Sequence, residues 1–266
     1  MKRNIAILAY ALAICASAIT RPALAQRAAG AGNSQQALAA AARDQKYTFI
    51  VFYKDNGPAT QATAQVVQSG VDSRSDRATA LFVDANSPAE KALVDRFGVS
   101  RAPMPLTIAV APNGAITGMF PKKVTDEQIG NAFVSPTMAQ CMKSMQEGKI
   151  VFVCIQPSAS DEIPPAVQDF QRDPQFQNRM SVVSFRVTDA AEAEFLQQLK
   201  IDAATVRQPT TAFLAPPGVL IGKYGYTATK AEMAAALHKA GQCCDDPNCK
   251  HAHGPQATKN SDAKRN

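Results

Sequence analysis

The sequence predicts an α/β protein in which one structural unit occurs twice. The stretch Pro105–Gly114 has the same layout as Pro209–Gly218, which lies 104 residues later. Each copy reads as an apolar strand, a turn that contains proline and ends in glycine, a second apolar strand and an amphipathic helix. A repeat of domain length indicates that the chain holds the same fold twice. The following pairs are identical without a gap: Pro105/Pro209, Thr107/Thr211, Ala111/Ala215, Pro112/Pro216, Gly114/Gly218, Gly118/Gly222 and Thr125/Thr229.

Residues 1–25 have the features of a signal peptide. Lys2 and Arg3 precede an apolar run that extends to Ile19, and Ala23-Leu-Ala25 offers a cleavage site before the next residue. The apolar run is too short for a comfortable membrane span. We therefore expect cleavage after Ala25 and a periplasmic or secreted protein that is not inserted in the membrane afterwards.

Composition bears on the class of partner. Without the three basic residues of the leader, the chain has 25 basic and 22 acidic side chains. This small excess gives no electrostatic case for binding nucleic acid or an anionic membrane. Residues 26–35 read as a linker of small residues, and 36–134 and 136–240 as two domains of ordinary size. Residues 241–266 form a polar tail without periodicity, which is typical of disorder.

The first copy is expected to begin with an Ala- and Gln-rich helix over residues 34–43. The β-branched and aromatic run Tyr47–Tyr53 predicts a buried strand. Asp55 or Asn56 is expected to cap the helix that follows, because short polar side chains accept bonds from first-turn amides. A strand over 79–84, a helix over 88–97, the strand pair from Pro105 and a helix capped by Thr125 complete the copy.

The second copy follows after a linker of one or two residues, so we expect the two domains to hold a fixed relative position. Ser135 is predicted to cap a helix, and Ile150–Cys154 reads as the buried strand. A helix from Asp161, a strand over 181–187, a helix over 190–199, a strand pair from Thr210 and a helix over 229–239 follow. Four side chains make the apolar face of the Ser135 helix: Met138, Cys141, Met142 and Met145.

This order of elements resembles the thioredoxin fold. The stretch Phe52–Ala59 is similar to the family's strand-to-helix active-site segment, with Asn56-Gly57-Pro58-Ala59 where the family has Cys-Gly-Pro-Cys. The segment Phe97–Pro105 is similar to the one that leads to the family's cis-proline. The resemblance therefore implies that the Met104–Pro105 and Gln208–Pro209 bonds are cis. The hairpin at Ala111–Gly114 is closest in style to the exported, cytochrome-maturation-type thioredoxins.

The departure from the family's active site decides the expected function. Thioredoxin chemistry needs a thiolate at a helix N-terminus and a second cysteine that resolves the mixed disulfide. Asn56 and Ala59 provide neither, and the corresponding stretch Gln156–Ser160 also lacks cysteine. We therefore expect no catalytic residue at these positions, and a non-catalytic binding or scaffold protein whose partner is another exported protein. The alternative is an enzyme, a thiol–disulfide oxidoreductase that uses cysteines of the tail.

Cys141 and Cys154 lie in the second copy, on the predicted helix face and at the end of the predicted strand. A disulfide requires Cα atoms within about 7 Å. Simple antiparallel packing of the helix on the strand places the two cysteines out of register. Two buried, unreactive thiols are therefore the favoured interpretation, and a structural disulfide remains the alternative.

The tail carries a cluster of possible metal ligands. Cys243, Cys244, Cys249, His251 and His253 provide thiolate and imidazole groups, which suit copper or zinc. The alternatives are a disulfide from Cys243 or Cys244 to Cys249, and a tail without a role.

Overall fold

The computed structural model describes residues 33–157 and 162–241. The predicted signal peptide and all five predicted metal ligands of the tail lie outside these ranges, so they remain predictions. Two similar series of helices and strands occupy the described residues. The first series is α1 (Asn33–Arg43), β1 (Tyr47–Tyr53), α2 (Pro58–Asp72), β2 (Ala78–Asp84), α3 (Lys91–Phe97), β3 (Leu106–Val110), β4 (Ile116–Pro121) and α4 (Asp126–Asn131). The second is α5 (Pro136–Gln146), β5 (Ile150–Gln156), α6 (Pro165–Arg172), β6 (Met180–Arg186), α7 (Ala193–Gln198), β7 (Thr210–Ala215), β8 (Val219–Tyr224) and α8 (Lys230–Gly241).

Each series forms its own mixed four-stranded sheet, in the orders β2-β1-β3-β4 and β6-β5-β7-β8. The first pair of strands in each order is parallel and the other two pairs are antiparallel. The central strands β1 and β5 are buried on both faces, as their β-branched and aromatic residues predict. The predicted fold class, two tandem α/β domains with mixed sheets flanked by helices, is confirmed.

The two repeats match in strand register as well as in strand order. In the first hairpin Val110 pairs with Ile116, and the register shifts between Ala109 and Val110. In the second hairpin Leu214 pairs with Leu220, with the shift at the corresponding position. A β-bulge at one position in both copies bends the two hairpins in the same way.

The helix starts follow the local sequence. Thr125 caps α4, where its hydroxyl accepts from the Gln128 amide and the Gln128 side chain accepts from the Thr125 amide. Ser135 caps α5 in the predicted way by accepting from the Met138 amide at 3.2 Å. Helix α6 begins at Pro165, later than predicted. Pro164 at its N-cap explains the late start, because the residue before a proline is restricted to extended backbone.

Helix α5 packs against both repeats. It covers β5 and β6 of its own sheet, and its Ala139 packs with Ala111 and Ala115 of the first hairpin. The Gln146 side chain extends the contact, because its Nε2 donates to the Ile116 carbonyl at 2.7 Å and its Oε1 accepts from the Ile116 amide at 3.0 Å. One side-chain amide thus satisfies both backbone groups at the start of an edge strand.

The linker is fixed from the other side by Tyr47. The Tyr47 hydroxyl donates to the Val134 carbonyl at 2.9 Å and accepts from the Val134 amide at 3.2 Å. The ring of the neighbouring Phe133 packs on Tyr47 and lies under the guanidinium of Arg77. These contacts are consistent with the fixed relative position that the short linker predicts.

Candidate functional site

The candidate site of the first repeat lies where β1 ends, α2 begins and the segment before β3 approaches them. Lys54 links the end of β1 to the segment before β3, because its ammonium donates to the Ser100 carbonyl at 2.9 Å. The Lys54 carbonyl in turn accepts from the side-chain amide of Asn86 at 2.8 Å. These bonds tie the end of β1, just before Asp55, to the residues that follow β2 and to those that precede β3.

The turn that leads into α2 is closed by Asp55. Its Oδ1 accepts from the Gly57 amide at 2.8 Å, and the Gln61 side chain donates to the Asn56 carbonyl at 3.0 Å. The N-cap of α2 is Gly57, with no side-chain cap. The expectation that Asp55 or Asn56 caps this helix is therefore wrong, because the Asp55 carboxylate is used by the amide of the N-cap residue itself. A Cβ at Gly57 would lie 2.8 Å from Asp55 Oδ1, so a larger residue there would require the Asp55 carboxylate to shift.

The exposed positions at the start of α2 carry no group that can attack a disulfide. Asn56, Pro58 and Ala59 are all exposed, and neither an amide nor a methyl group forms a nucleophile of the kind that thiol exchange needs. Tyr53, at the end of β1, places a phenol beside this segment. Burial raises the pKa of Tyr53, and the carboxylates of Asp84 and Glu90 raise it further, so this phenol stays protonated near neutral pH.

The two prolines before the third strands differ in their peptide bonds. Pro105 immediately precedes β3 and Pro209 immediately precedes β7, so they occupy matching places. The Met104–Pro105 bond is cis, as expected, whereas the Gln208–Pro209 bond is not, and that expectation is wrong. The backbone nearby differs as well. In the first repeat the Pro105 carbonyl accepts from the Lys122 amide at 2.7 Å. Beside Pro209, the β7–β8 ladder begins only at Thr211 with Tyr224, so the pair equivalent to Leu106 with Pro121 is missing.

The corresponding place in the second repeat starts from Gln156, the last residue of β5. Its side chain is buried, and its Nε2 donates to the Glu162 carbonyl at 2.7 Å. Its Oε1 has no hydrogen-bond partner among the described residues. Residues 158–161 lie outside the described residues, so the absence of cysteine there rests on the sequence alone.

The described residues contain two cysteines, Cys141 and Cys154, and both are free and buried. Cys141 packs with Val153 and its alternate neighbours on one face of β5, while Cys154 packs with Phe152 on the other. Because successive side chains of a strand point to opposite faces, the sheet separates the two thiols. The interpretation as two buried thiols is confirmed, and the alternative of a disulfide between them is wrong.

Burial also makes these thiols unreactive. It raises the pKa of Cys141 to about 12, with a further contribution from the charge of Glu192. It raises the pKa of Cys154 to about 11, although hydrogen bonds with Thr211 and Ser184 act in the opposite direction. Since the thiolate is the nucleophile, neither cysteine can perform thiol exchange at physiological pH.

No cluster of three or more histidine, cysteine or acidic side chains suited to a metal ion occurs within 33–157 and 162–241. Over the same ranges, no helix has both the length and the apolar character needed to cross a membrane. The copper or zinc site predicted at Cys243, Cys244, Cys249, His251 and His253 lies outside these ranges and remains a prediction.

Two buried carboxylates were not anticipated from the sequence. Glu90 accepts from the Ser34 hydroxyl at 2.7 Å, and so ties α1 to the turn before α3. Glu192, at the corresponding place in the second repeat, accepts from the Ser135 hydroxyl and from the Thr137 amide, the latter at 3.0 Å. The sequence repeat could not have marked both residues, because its 104-residue offset aligns Glu90 with the exposed Glu194 instead of Glu192.

The sequence matches no protein-family model, and no curated protein matches it. Among solved structures, a disulphide isomerase from Xylella fastidiosa Temecula1 shares 18% identity, with 38% of this chain and 87% of that one covered and a TM-score of 0.31. The first two thioredoxin domains of Saccharomyces cerevisiae Eps1p share 15% identity over 73% of this chain and 92% of theirs, with a TM-score of 0.27. Human ERp44 in its zinc-bound form shares 12% identity over 77% and 54%, with a TM-score of 0.34.

Identities and TM-scores this low establish nothing about activity, and the fold assignment rests on strand order and register. By these criteria the chain is a tandem pair of thioredoxin-like domains. Within that class it is a form whose sequence contains no Cys-x-x-Cys pair.

Proposed function

We propose that this chain is an exported, redox-inactive thioredoxin-like protein that acts by binding another exported protein. The observation that carries the proposal is the pair of exposed side chains Asn56 and Ala59 at the start of α2, where thiol exchange would need cysteines. The burial of Cys141 and Cys154 supports it, because no other described residue provides a thiol.

The rival function is a thiol–disulfide oxidoreductase that uses the tail. Cys243 or Cys244 would attack a substrate disulfide as a thiolate, and Cys249 would displace the substrate and leave the tail oxidised. A reductant such as dithiothreitol would then return the tail to its dithiol form. Only the cysteine content of the tail favours this reading.

Insulin reduction by dithiothreitol separates the two functions. We expect the chain from Gln26 onward to give no turnover above the rate with dithiothreitol alone. Turnover that disappears when Cys243, Cys244 and Cys249 are changed to serine would favour the tail enzyme. Turnover that survives those changes would refute both explanations, because the remaining cysteines are the buried pair.

A metal-binding tail is the second part of the proposal. The three cysteines and two histidines of the tail suit copper or zinc, and ligand deprotonation predicts binding that weakens as pH falls. Metal analysis of the protein from its native compartment, with a parallel thiol titration, tests this. Oxidised tail thiols with less than about a tenth of an equivalent of transition metal would exclude a structural site, which binds tightly enough to be retained.

A further inference from the structure

The hairpin end of the second repeat matches a surface that the first repeat uses as an interface. In the first repeat, the hairpin residue Ala115 is 0% exposed beneath α5, and Ile116 is held by the Gln146 side chain. The matching register makes Val219 and Leu220 the counterparts of these two residues. Val219 is larger than Ala115, and Leu220 is as apolar as Ile116. Even so, Val219 is 49% exposed and Leu220 is 38% exposed.

Helix α1 is the counterpart of α5, and its outer face is also exposed. The two helices end in the same turn, because the Lys46 amide donates to Ala41 at 2.8 Å as the Lys149 amide donates to Ser144 at 3.0 Å. With the helices aligned on this turn, Ala139, Met142 and Gln146 of α5 correspond to an exposed set in α1. That set is Gln36, Ala39 and Arg43.

We propose that this protein self-associates head to tail, so that the Val219–Leu220 end of one copy receives the outer face of α1 from the next copy. The proposal does not depend on the redox inactivity of the domains. We expect a second copy to occupy this surface because the chain carries a counterpart of each half of its internal contact. Helix α1 is the counterpart of α5, and the second hairpin is the counterpart of the first.

The side-chain sizes fit this exchange. At the internal junction the hairpin contributes the small Ala115 and the helix contributes the large Met142. In the proposed contact the hairpin contributes the larger Val219 and the helix contributes the smaller Ala39, so at this pair bulk moves from the helix to the hairpin. Gln36, in the place of Ala139, adds a longer polar side chain, which weakens the contact relative to the internal junction.

The polar part of the contact is only half reproduced. Gln146 both donates to and accepts from Ile116. Arg43, in the place of Gln146, can donate to the Leu220 carbonyl but cannot accept from its amide, because a guanidinium has no acceptor. The contact between copies should therefore be weaker than the internal junction. Because the contact joins two different surfaces, a dimer still has one free surface of each kind and can add further copies.

Sedimentation velocity of the chain from Gln26 onward, in the presence of a reductant, tests the proposal. The average mass should rise over about a hundred-fold range of protein concentration, as mass action requires. Leu220→Asp and Ala39→Glu should each abolish the rise. An equal mixture of these two variants should form a one-to-one complex, because one retains the intact helix face and the other the intact hairpin.

Met119→Asp is the matched control, because Met119 is 52% exposed on β4 and lies outside both surfaces. This variant should associate like the unchanged protein. If either main variant loses its circular-dichroism spectrum, Leu220→Ser or Ala39→Gln replaces it. A protein that stays monomeric at every concentration would overturn the proposal. Association that survives Leu220→Asp or Ala39→Glu, or that disappears in reductant, would do the same.

Discussion

Replacing Glu192 with alanine should destabilise the second repeat. The Glu192 side chain is only 2% exposed, and its carboxylate accepts from the Ser135 hydroxyl and the Thr137 amide at the start of α5. The remaining first-turn donors have other solutions, because Pro136 has no amide hydrogen and Met138 donates to Ser135. Glu192 is therefore the acceptor on which the buried Thr137 amide depends.

The expected loss can be estimated from these two bonds. A buried donor left without an acceptor costs about 1–3 kcal/mol. Ser135 is only partly buried and can turn its hydroxyl to water, so most of the cost should come from Thr137. We expect Glu192→Ala to lower the free energy of unfolding by about 2–3 kcal/mol, and Glu192→Gln, which keeps an acceptor oxygen, by about 1 kcal/mol.

Urea unfolding followed by circular dichroism provides the measurement. Glu194→Ala is the matched control, because Glu194 lies two residues away, is exposed and makes one long bond with Gln198 at 3.3 Å. Its effect should stay within about 0.5 kcal/mol. Hydrogen exchange at the Thr137 amide should also accelerate in Glu192→Ala and not in the control. Equal stabilities of Glu192→Ala and Glu194→Ala would refute this account of the carboxylate.

Further predictions concern the cysteines and the degenerate site. In the native protein at pH 8, Cys141 and Cys154 should not react with a thiol reagent, and denaturation should release two additional equivalents; reaction of either thiol before unfolding would contradict their burial. The contribution of the two buried thiols to the free energy of unfolding should be fully present below the ordinary thiol pKa of 9. It should fall as pH rises toward about 11 for Cys154 and about 12 for Cys141, because the thiols ionise at lower pH in the unfolded chain. A Cys154→Ala variant should lose stability less steeply over that range, and an unchanged slope would count against the raised pKa. Asn56→Cys combined with Ala59→Cys should introduce insulin reduction, measured against each single variant, since a helix N-terminus lowers a thiol pKa.

The features that the sequence predicted well are those that short stretches determine. Tyr47–Tyr53 reads as a buried strand from its own residue types. Thr125 and Ser135 cap their helices by accepting from amides only three residues further along the chain. The burial of Cys141 and Cys154 likewise follows from an apolar helix face and an apolar strand. Their separation by the sheet was not predicted, because the sequence argument placed them apart along the strand. Such patterns need no knowledge of the tertiary contacts.

The features that the sequence did not predict depend on partners far along the chain. Gln146 and Glu192 bond to residues 30 and 55 or more positions away, and no local pattern indicates such distances. The prediction that Asp55 caps α2 was wrong because its carboxylate accepts from the Gly57 amide in the preceding turn. The residue type alone does not distinguish this turn from a helix cap. The peptide geometry at Pro209 could not be inferred from Pro105, because the two hairpins are paired differently beside these prolines. The β7–β8 ladder lacks the pair equivalent to Leu106 with Pro121.

The sharing of α5 between the two repeats bears on how the molecule would yield under tension. The first repeat cannot separate from this helix without exposing Ala111 and Ala115 to water and breaking both Gln146 bonds. The second repeat cannot release it without uncovering Cys141 and the core beside it. A pull on the two ends of the described chain would therefore load one common helix. The expected force trace shows a single rupture that lengthens both repeats together, rather than two independent steps.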